Sequence, residues 1–347
     1  MRHLRLPAII ATVAALTVGA VACSTSGETS GGTNTTSNGS TDSITVYSGR
    51  SEELVGPLFE QFTQATGITV NARYGDTAEL AAQILDEGEN SPADVFFAQD
   101  AGALGAVGAA GQFAELTSAQ LDAVPEAYRS PNGYWVGVSA RARVVVYNTD
   151  ALNEDQVPDT VDGFTDPSWA GRVGWAPSNG SFQAFVTALR VIEGEEAAGA
   201  WLEAMEANDT QVYEKNTAIV AAVAAGEIDA GLVNHYYLYQ YLAENPGAPV
   251  ANKFLNSGAG ALVNVAGVGI LTSAANPTGA SSFVDYLLSP TAQEYFATET
   301  SEYPVVPGTP APEGLPPLNS IGVSGLDLNR LEDLAGTLEL LQAKGVV

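Results

Sequence analysis

Cysteine is almost absent. Cys23 is the only one, so no disulfide forms within the chain and no cysteine cluster holds a metal. Histidine is nearly as scarce. Of the two present, His3 lies in the N-terminal stretch, leaving His235. That argues against a His-based zinc or copper site. A Ser-His-Asp triad would have to use His235, and no G-x-S-x-G turn presents a serine to it. No P-loop occurs. Gly102, Gly105, Gly108 and Gly111 recur every third residue without forming a dinucleotide fingerprint; their expected use is the close packing of a short helix on a sheet. Positive charge is also short: 13 Lys+Arg stand against 40 Asp+Glu, a net charge of −27. This balance argues against nucleic acid and anionic membrane surfaces as partners. Beyond the N-terminus no apolar run approaches the ~18 residues of a membrane span.

The N-terminus has Arg2 and Arg5, an apolar stretch over 6–22, and small residues leading into Cys23. This is the pattern of a signal peptide over 1–22. A lone cysteine at its end reads as a lipidation site, Cys23 taking a diacylglycerol and becoming the first mature residue. The alternative is a free thiol on an unanchored secreted protein. Residues 24–42 are almost wholly Ser, Thr, Gly and Asn, a composition that cannot bury a core and reads as a flexible tether over 23–42. The expected place is therefore the outer face of the cell membrane, held by lipid alone, or the periplasm. Taking away Arg2 and Arg5 leaves 11 basic against 40 acidic residues, −29. Each remaining arginine is then informative, above all Arg50, Arg141 and Arg143 beside strands that lead towards a cleft.

About 300 residues remain, enough for two lobes with their own cores. Strands are expected at 44–47, 68–74 and 93–97, with helices at 52–66 and 78–85 between them, a rhythm that implies a parallel sheet covered on both faces. Ligands bind beyond the carboxyl ends of such strands, here 48–51, 74–76 and Gln99-Asp100. The stretches 134–138 and 142–147, with no helix between, are the expected crossover into a second lobe. That lobe has helices at 182–191, 197–207 and 217–225 and strands at 173–175, 211–213 and 228–233. A return strand at 268–271, helices at 281–288 and 291–297, a proline-rich loop at 304–317 and a closing helix at 327–343 complete the chain. The division is 43–147 plus 266–347 for lobe 1 and 148–265 for lobe 2, with a hinge and cleft between them.

The richest segment is Val233-Asn234-His235-Tyr236-Tyr237-Leu238-Tyr239. Two adjacent phenols follow a buried strand and open a helix. Phenolate oxygen is a hard anionic ligand suited to a hard trivalent cation. Side chains adjacent on a strand point to opposite faces, so both reach one ion only where the backbone leaves the strand. The competing reading is amphipathic packing at a helix start.

The chain here resembles the substrate-binding proteins of bacterial ferric-iron ABC transporters, the bacterial transferrin-like proteins. The resemblance rests on Val46-Tyr47-Ser48-Gly49-Arg50, 91–97, Ser139-Ala140-Arg141-Ala142-Arg143, Tyr213-Glu214-Lys215-Asn216, Asn234-His235-Tyr236-Tyr237 and Glu302-Tyr303-Pro304, in family order from Ile44 onward. It implies an α/β fold of the type II periplasmic-binding-protein kind, a ferric ion held by Tyr236 and Tyr237, and a carbonate, bicarbonate or phosphate ion beside it. The matching anion pocket is Asn179, Gly180, Ser181, Asn216 and Asn234, with Arg141. It also implies a monomer that hands iron to ABC permease subunits and catalyses no reaction. Ligands that relatives use are missing: in the first lobe Ser51, Glu52 and Gln99 stand where various relatives have His, Tyr and Glu, and a further Tyr seen in some members falls at Phe182. The expectation is that an oxyanion gripped by Arg50 and Arg141 fills the gap through paired guanidinium hydrogen bonds, with Tyr47, Glu52 or Tyr303 adding a direct ligand. The alternative for the two arginines is an ion pair with one of the abundant carboxylates. The rival functions are a binding protein of the same fold for an oxyanion or a small organic solute such as thiamine, a polyamine or a phosphonate, and an extracellular enzyme or adhesin on the same anchor.

Overall fold

A computed structural model describes residues 43–322 and 326–347. The expected signal peptide, Cys23 and the tether lie outside the described residues.

The chain builds ten strands: β1 Ser43–Ser48, β2 Thr69–Tyr74, β3 Val95–Ala98, β4 Val136–Asn148, β5 Val173–Trp175, β6 Gln211–Val212, β7 Ala230–Asn234, β8 Val250–Lys253, β9 Val263–Ile270 and β10 Tyr303–Pro304. They run in the order β2-β1-β3-β9-β4-β7-β5-β6, with β10 and β8 also pairing with β4. The expected parallel pairing holds for β2-β1-β3 and for β7-β5-β6, while β9 and β4 enter antiparallel.

The stretches expected as two crossover strands form one, β4, 13 residues long and buried throughout. A register shift between Gly137 and Ser139 marks the expected break. Its first part pairs with β9 through Ala142, and from Arg143 onward it pairs with β7. The strand thus passes from one lobe to the other between Ala142 and Arg143, and two of the three conspicuous arginines lie at that passage.

Each lobe's sheet is covered by helices with apolar faces. The helix Glu52–Thr66 buries Leu54, Val55, Leu58, Phe59 and Phe62 and ends on Gly67, whose φ of 77° makes the left-handed cap. Phe59 and Phe62 meet Phe283 edge-on at 5.4 and 5.1 Å, each buried ring worth about 2 kcal/mol relative to exposure. In the second lobe Trp175, Phe182, Phe185 and Trp201 form a comparable cluster.

The expected closing helix divides into a short turn, Leu328–Leu331, and a helix, Leu334–Ala343. The turn packs on the helix Ala101–Ala109, where a Cβ on Gly102 would lie 2.5 Å from the Leu331 oxygen. Gly102 and Gly105 therefore admit the C-terminal segment, while Gly108 faces Phe113 and Tyr134. The last helix then crosses to the second lobe. The Thr337 and Thr187 hydroxyls are 2.7 Å apart, and Asp333 and Lys344 pair with Arg190 and Glu203. The end of the chain thus contacts both lobes, where the sequence placed it wholly with the first. Among the described residues no helix is long and apolar enough to cross a membrane.

Candidate functional site

β7 is buried along its whole length and ends at Asn234. His235 then takes helical angles (φ −57°, ψ −38°) and the helix Tyr236–Glu244 begins. This change of backbone brings the adjacent phenols to one side, with ring centroids 4.2 Å apart and planes at 36°. His235 pins the turn. Its Nδ1 accepts the Ala142 N–H at 3.1 Å, which leaves Nε2 to donate to the Ser301 oxygen at 2.8 Å. Burial pulls its pKa down to about 4, so the ring is neutral and fully used in structure. It is no candidate base.

The Tyr236 hydroxyl is buried with no hydrogen-bond partner. Burial and then the neighbouring Tyr236 push the Tyr237 phenol well above its usual range, while Arg50 pulls the other way. Arg50 follows β1 and places its Cζ 5.6 Å from the centre of the Tyr236 ring. Its Nη2 donates to Glu302 Oε2 at 2.6 Å, with neither side chain exposed. Glu302 also accepts from Thr300 and Ser139. The ion pair weighed as an alternative thus exists for Arg50, yet its Nε and Nη1 remain buried without partners. Arg141 has no hydrogen-bond partner on any guanidinium nitrogen. Arg143, two residues on and so on the same face of β4, donates one bond to the Leu232 oxygen and rests on Phe182 and Phe185 at 5.5 and 5.2 Å. Burial lowers the pKa of both, that of Arg143 to about 9, which still leaves it charged at neutral pH. Buried donors without partners are costly. Guanidinium groups beside two phenols suit anionic oxygen.

The helix Gly180–Glu193 closes the site from the second lobe. Asn179 Oδ1 caps it, accepting from the Ser181 N–H at 3.0 Å, the Ser181 hydroxyl at 2.6 Å and Asn216 Nδ2 at 3.2 Å. Asn216 Oδ1 and Asn234 Nδ2 are buried without partners, and Asn234 pairs in register with Arg143. Thr77, Gln99 and Asp100 of the first lobe face Gly180. The structure thus gathers Tyr236, Tyr237, Arg50, Arg141, Asn179, Gly180, Ser181, Asn216 and Asn234.

It does not bring Tyr47 or Glu52 to them. The Tyr47 hydroxyl is held by Glu87 and Gln83. Glu87 ends a helix whose first residue, Thr77, lies at the site, so ten residues at 1.5 Å rise put it about 15 Å away. Glu52 stands exposed on the first turn of its helix and acts on Tyr74. Tyr303 spends its hydroxyl on the Pro316 oxygen at 2.8 Å. Sequence reasoning set Arg143 beside the cleft and Asp100 at a strand end where ligands bind without naming either as a site residue, and it had Glu302 only within the run Glu302-Tyr303-Pro304. Among the described residues no group of three or more His, Cys, Asp or Glu could hold a metal ion.

The chain resembles known proteins along most of its length. The family of bacterial extracellular solute-binding proteins matches residues 90–321. An Fe(3+)-binding periplasmic protein of Serratia marcescens is 35% identical over 308 residues, 88% of this chain and 90% of that protein. A major ferric iron-binding protein of Neisseria meningitidis is 33% identical over 312 residues, 87% of this chain and 93% of that protein. The crystal structure of iron-bound HitA from Pseudomonas aeruginosa superposes with a TM-score of 0.84 at 32% identity, covering 87% of this chain and 99% of that one.

Proposed function

The chain belongs to the bacterial extracellular solute-binding proteins, and from that premise we propose that it captures ferric iron between its lobes and delivers it to the permease of an ABC transporter. The observation that carries this reading is the tyrosine pair: Tyr236 and Tyr237 leave β7 with rings 4.2 Å apart, one hydroxyl buried and unpartnered. A free phenol has a pKa near ~10 and binds after losing its proton, which a trivalent ion drives. Phenolate is a hard donor matched to that ion.

An oxyanion, carbonate or phosphate, completes the site from the side of Arg50 and Arg141, where guanidinium nitrogens are buried without partners. Asn216 and Asn234 offer it further polar atoms. On this reading the anion supplies oxygens that Tyr47 and Glu52, placed away from the phenols, do not. The protein acts as a monomer, with lobes at 43–147 plus 266–347 and at 148–265. It is exported by the segment 1–22, lipidated on Cys23 and carried on a tether outside the cell membrane.

The test is a visible absorption titration of the iron-free protein with ferric nitrilotriacetate in bicarbonate, beside the double substitution Tyr236→Phe and Tyr237→Phe. A charge-transfer band that saturates at one iron per protein and disappears in the double variant is the expected result. No band in the wild type would overturn the ferric reading and favour an oxyanion or organic solute. Arg141→Ala tests the anion: it should weaken the bicarbonate-dependent part of iron binding, and unchanged affinity in bicarbonate would remove Arg141 from the site.

A further inference from the structure

The turn Asn179-Gly180-Ser181 is where an exogenous oxyanion is expected, yet a carboxylate of the chain's own lies there. Asp100 is 3% exposed. One oxygen, Oδ1, caps the helix Ala101–Ala109 by accepting the Ala103 N–H at 2.9 Å. The other, Oδ2, faces the second lobe: a Cβ built on Gly180 would lie 3.3 Å from it, 3.3 Å from Thr77 Cβ and 3.7 Å from Gln99 Oε1. Gly180 opens a helix of 14 residues, long enough to carry a full partial positive charge at this end. The cap on that helix is satisfied by Asn179, while the Gly180 N–H makes no backbone hydrogen bond. Burial raises the Asp100 pKa above the usual carboxylate value, while the Ala103 N–H and then the Arg141 guanidinium, itself buried and without hydrogen-bond partners, favour the charged form.

We infer that Asp100 is the built-in counter-anion of the second lobe's helix, seated there when the lobes come together, and that it excludes exogenous oxyanions from the Asn179-Gly180-Ser181 turn. The exogenous ion is then displaced from the turn towards Arg50, whose Nε and Nη1 are buried without partners. Asp100 does this by position: it stands on the first lobe and meets the helix only across the cleft, so its charge also favours closure. Gly180 is part of the device, because a Cβ there would lie 3.3 Å from both Thr77 Cβ and Asp100 Oδ2, a tight fit in which these neighbours must give way. The inference rests on the ferric reading for its effect on iron and stands alone for its effect on anions.

The test is Asp100→Asn, which keeps an acceptor for Ala103 and removes the charge. A bare helix N-terminus beside Arg141 is a ready phosphate site. In the iron-free proteins, inorganic phosphate should raise the thermal midpoint of Asp100→Asn and leave that of the wild type unchanged. In ferric nitrilotriacetate titrations, phosphate should enhance iron affinity in Asp100→Asn about tenfold more than in the wild type, the scale of one charge at a partly buried helix end. Equal responses to phosphate in both proteins would overturn the inference. Absence of the iron band in both would overturn the ferric reading instead, and the midpoints of the iron-free proteins would still decide on Asp100. Gly180→Ala leaves every charge in place; it should weaken iron binding without any gain in phosphate response, and a gain would also overturn the inference.

Discussion

The Arg50–Glu302 pair invites the most demanding test of the packing beneath the site. Both side chains are 0% exposed and joined at 2.6 Å, 252 positions apart in sequence. Glu302 is further satisfied by Thr300 and Ser139. Replacing it with Ala leaves a buried guanidinium without its counter-charge, which costs about 3–5 kcal/mol, a large part of the 5–15 kcal/mol typical of a folded protein. In a protein of this size the thermal midpoint should fall by roughly 10 °C. Removing both charges with Arg50→Met and Glu302→Leu should restore most of that loss, because apolar residues of similar volume avoid the desolvation penalty. Urea unfolding of the iron-free single and double variants closes the cycle, with an expected coupling of about 3 kcal/mol. A cost below about 1 kcal/mol for Glu302→Ala, as found for solvent-exposed pairs, would refute the reasoning. So would a double variant no more stable than Glu302→Ala.

Three further substitutions separate structure from binding. Tyr47→Phe removes the phenol held by Glu87 and Gln83; it should cost at most about 1 kcal/mol and leave the iron band intact, whereas loss of the band would make Tyr47 a ligand. Burial lowers the His235 pKa to about 4, from the 6.5 usual for imidazole. As the pH falls the unfolded chain therefore takes up the proton first, and stability is lost from pH 6.5 down to about 4. Between pH 7 and pH 5 this ring alone should remove about 2 kcal/mol from the iron-free protein, and denaturant unfolding of His235→Gln should show a pH dependence flatter by that amount. Gly102→Ala drives a methyl group towards the Leu331 oxygen, 2.5 Å from the new Cβ. It should destabilise the protein by about 1–3 kcal/mol, read as earlier proteolysis of the C-terminal segment; equal protease resistance would mean that the contact yields without strain.

Much of this could be read from the sequence because local signals agreed with the fold. The helix at 52–66 has its apolar spacing and a terminal Gly67, and the tyrosine pair could serve one ion only at a strand end, which is where β7 stops. The crossover was legible as a pair of strands, but its continuity was not: a bulge near Gly137 looks in sequence like a break, and burial on both faces removes the alternation that would show one long strand. The long-range pairings were not legible at all. Nothing local ties Glu302 to Arg50, or Thr337 to Thr187, because those contacts depend on how the end of the chain returns over both lobes. Tyr47 misled for a related reason. Arg50, three residues on, does reach the site, but the strand turns alternate side chains to opposite faces, and Tyr47 belongs to the face that meets Glu87.

The chain's charge distribution determines how iron must enter. The protein as a whole carries −27, yet its site is lined by three buried arginines, of which Glu302 pairs with Arg50 and Asp100 acts on Arg141. Arg143 has no carboxylate partner. A bare trivalent cation beside neutral phenols would meet net repulsion there. Binding on the proposed reading therefore requires both phenols to ionise and still leaves surplus positive charge at Arg143 and the metal. A dianion such as carbonate or hydrogen phosphate removes that surplus, and a monoanion such as chloride does not. Two consequences can be measured together by competition against a chelator of known protonation. At a fixed concentration of the dianion itself, iron affinity should climb about a hundredfold per pH unit, two phenol protons leaving for each ion bound. At a fixed total of bicarbonate below neutrality the anion gives up a further proton and the slope is steeper. Carbonate should support binding where chloride fails. A tenfold slope would mean that a single tyrosine ionises, and equal support from chloride would remove the charge argument for the anion.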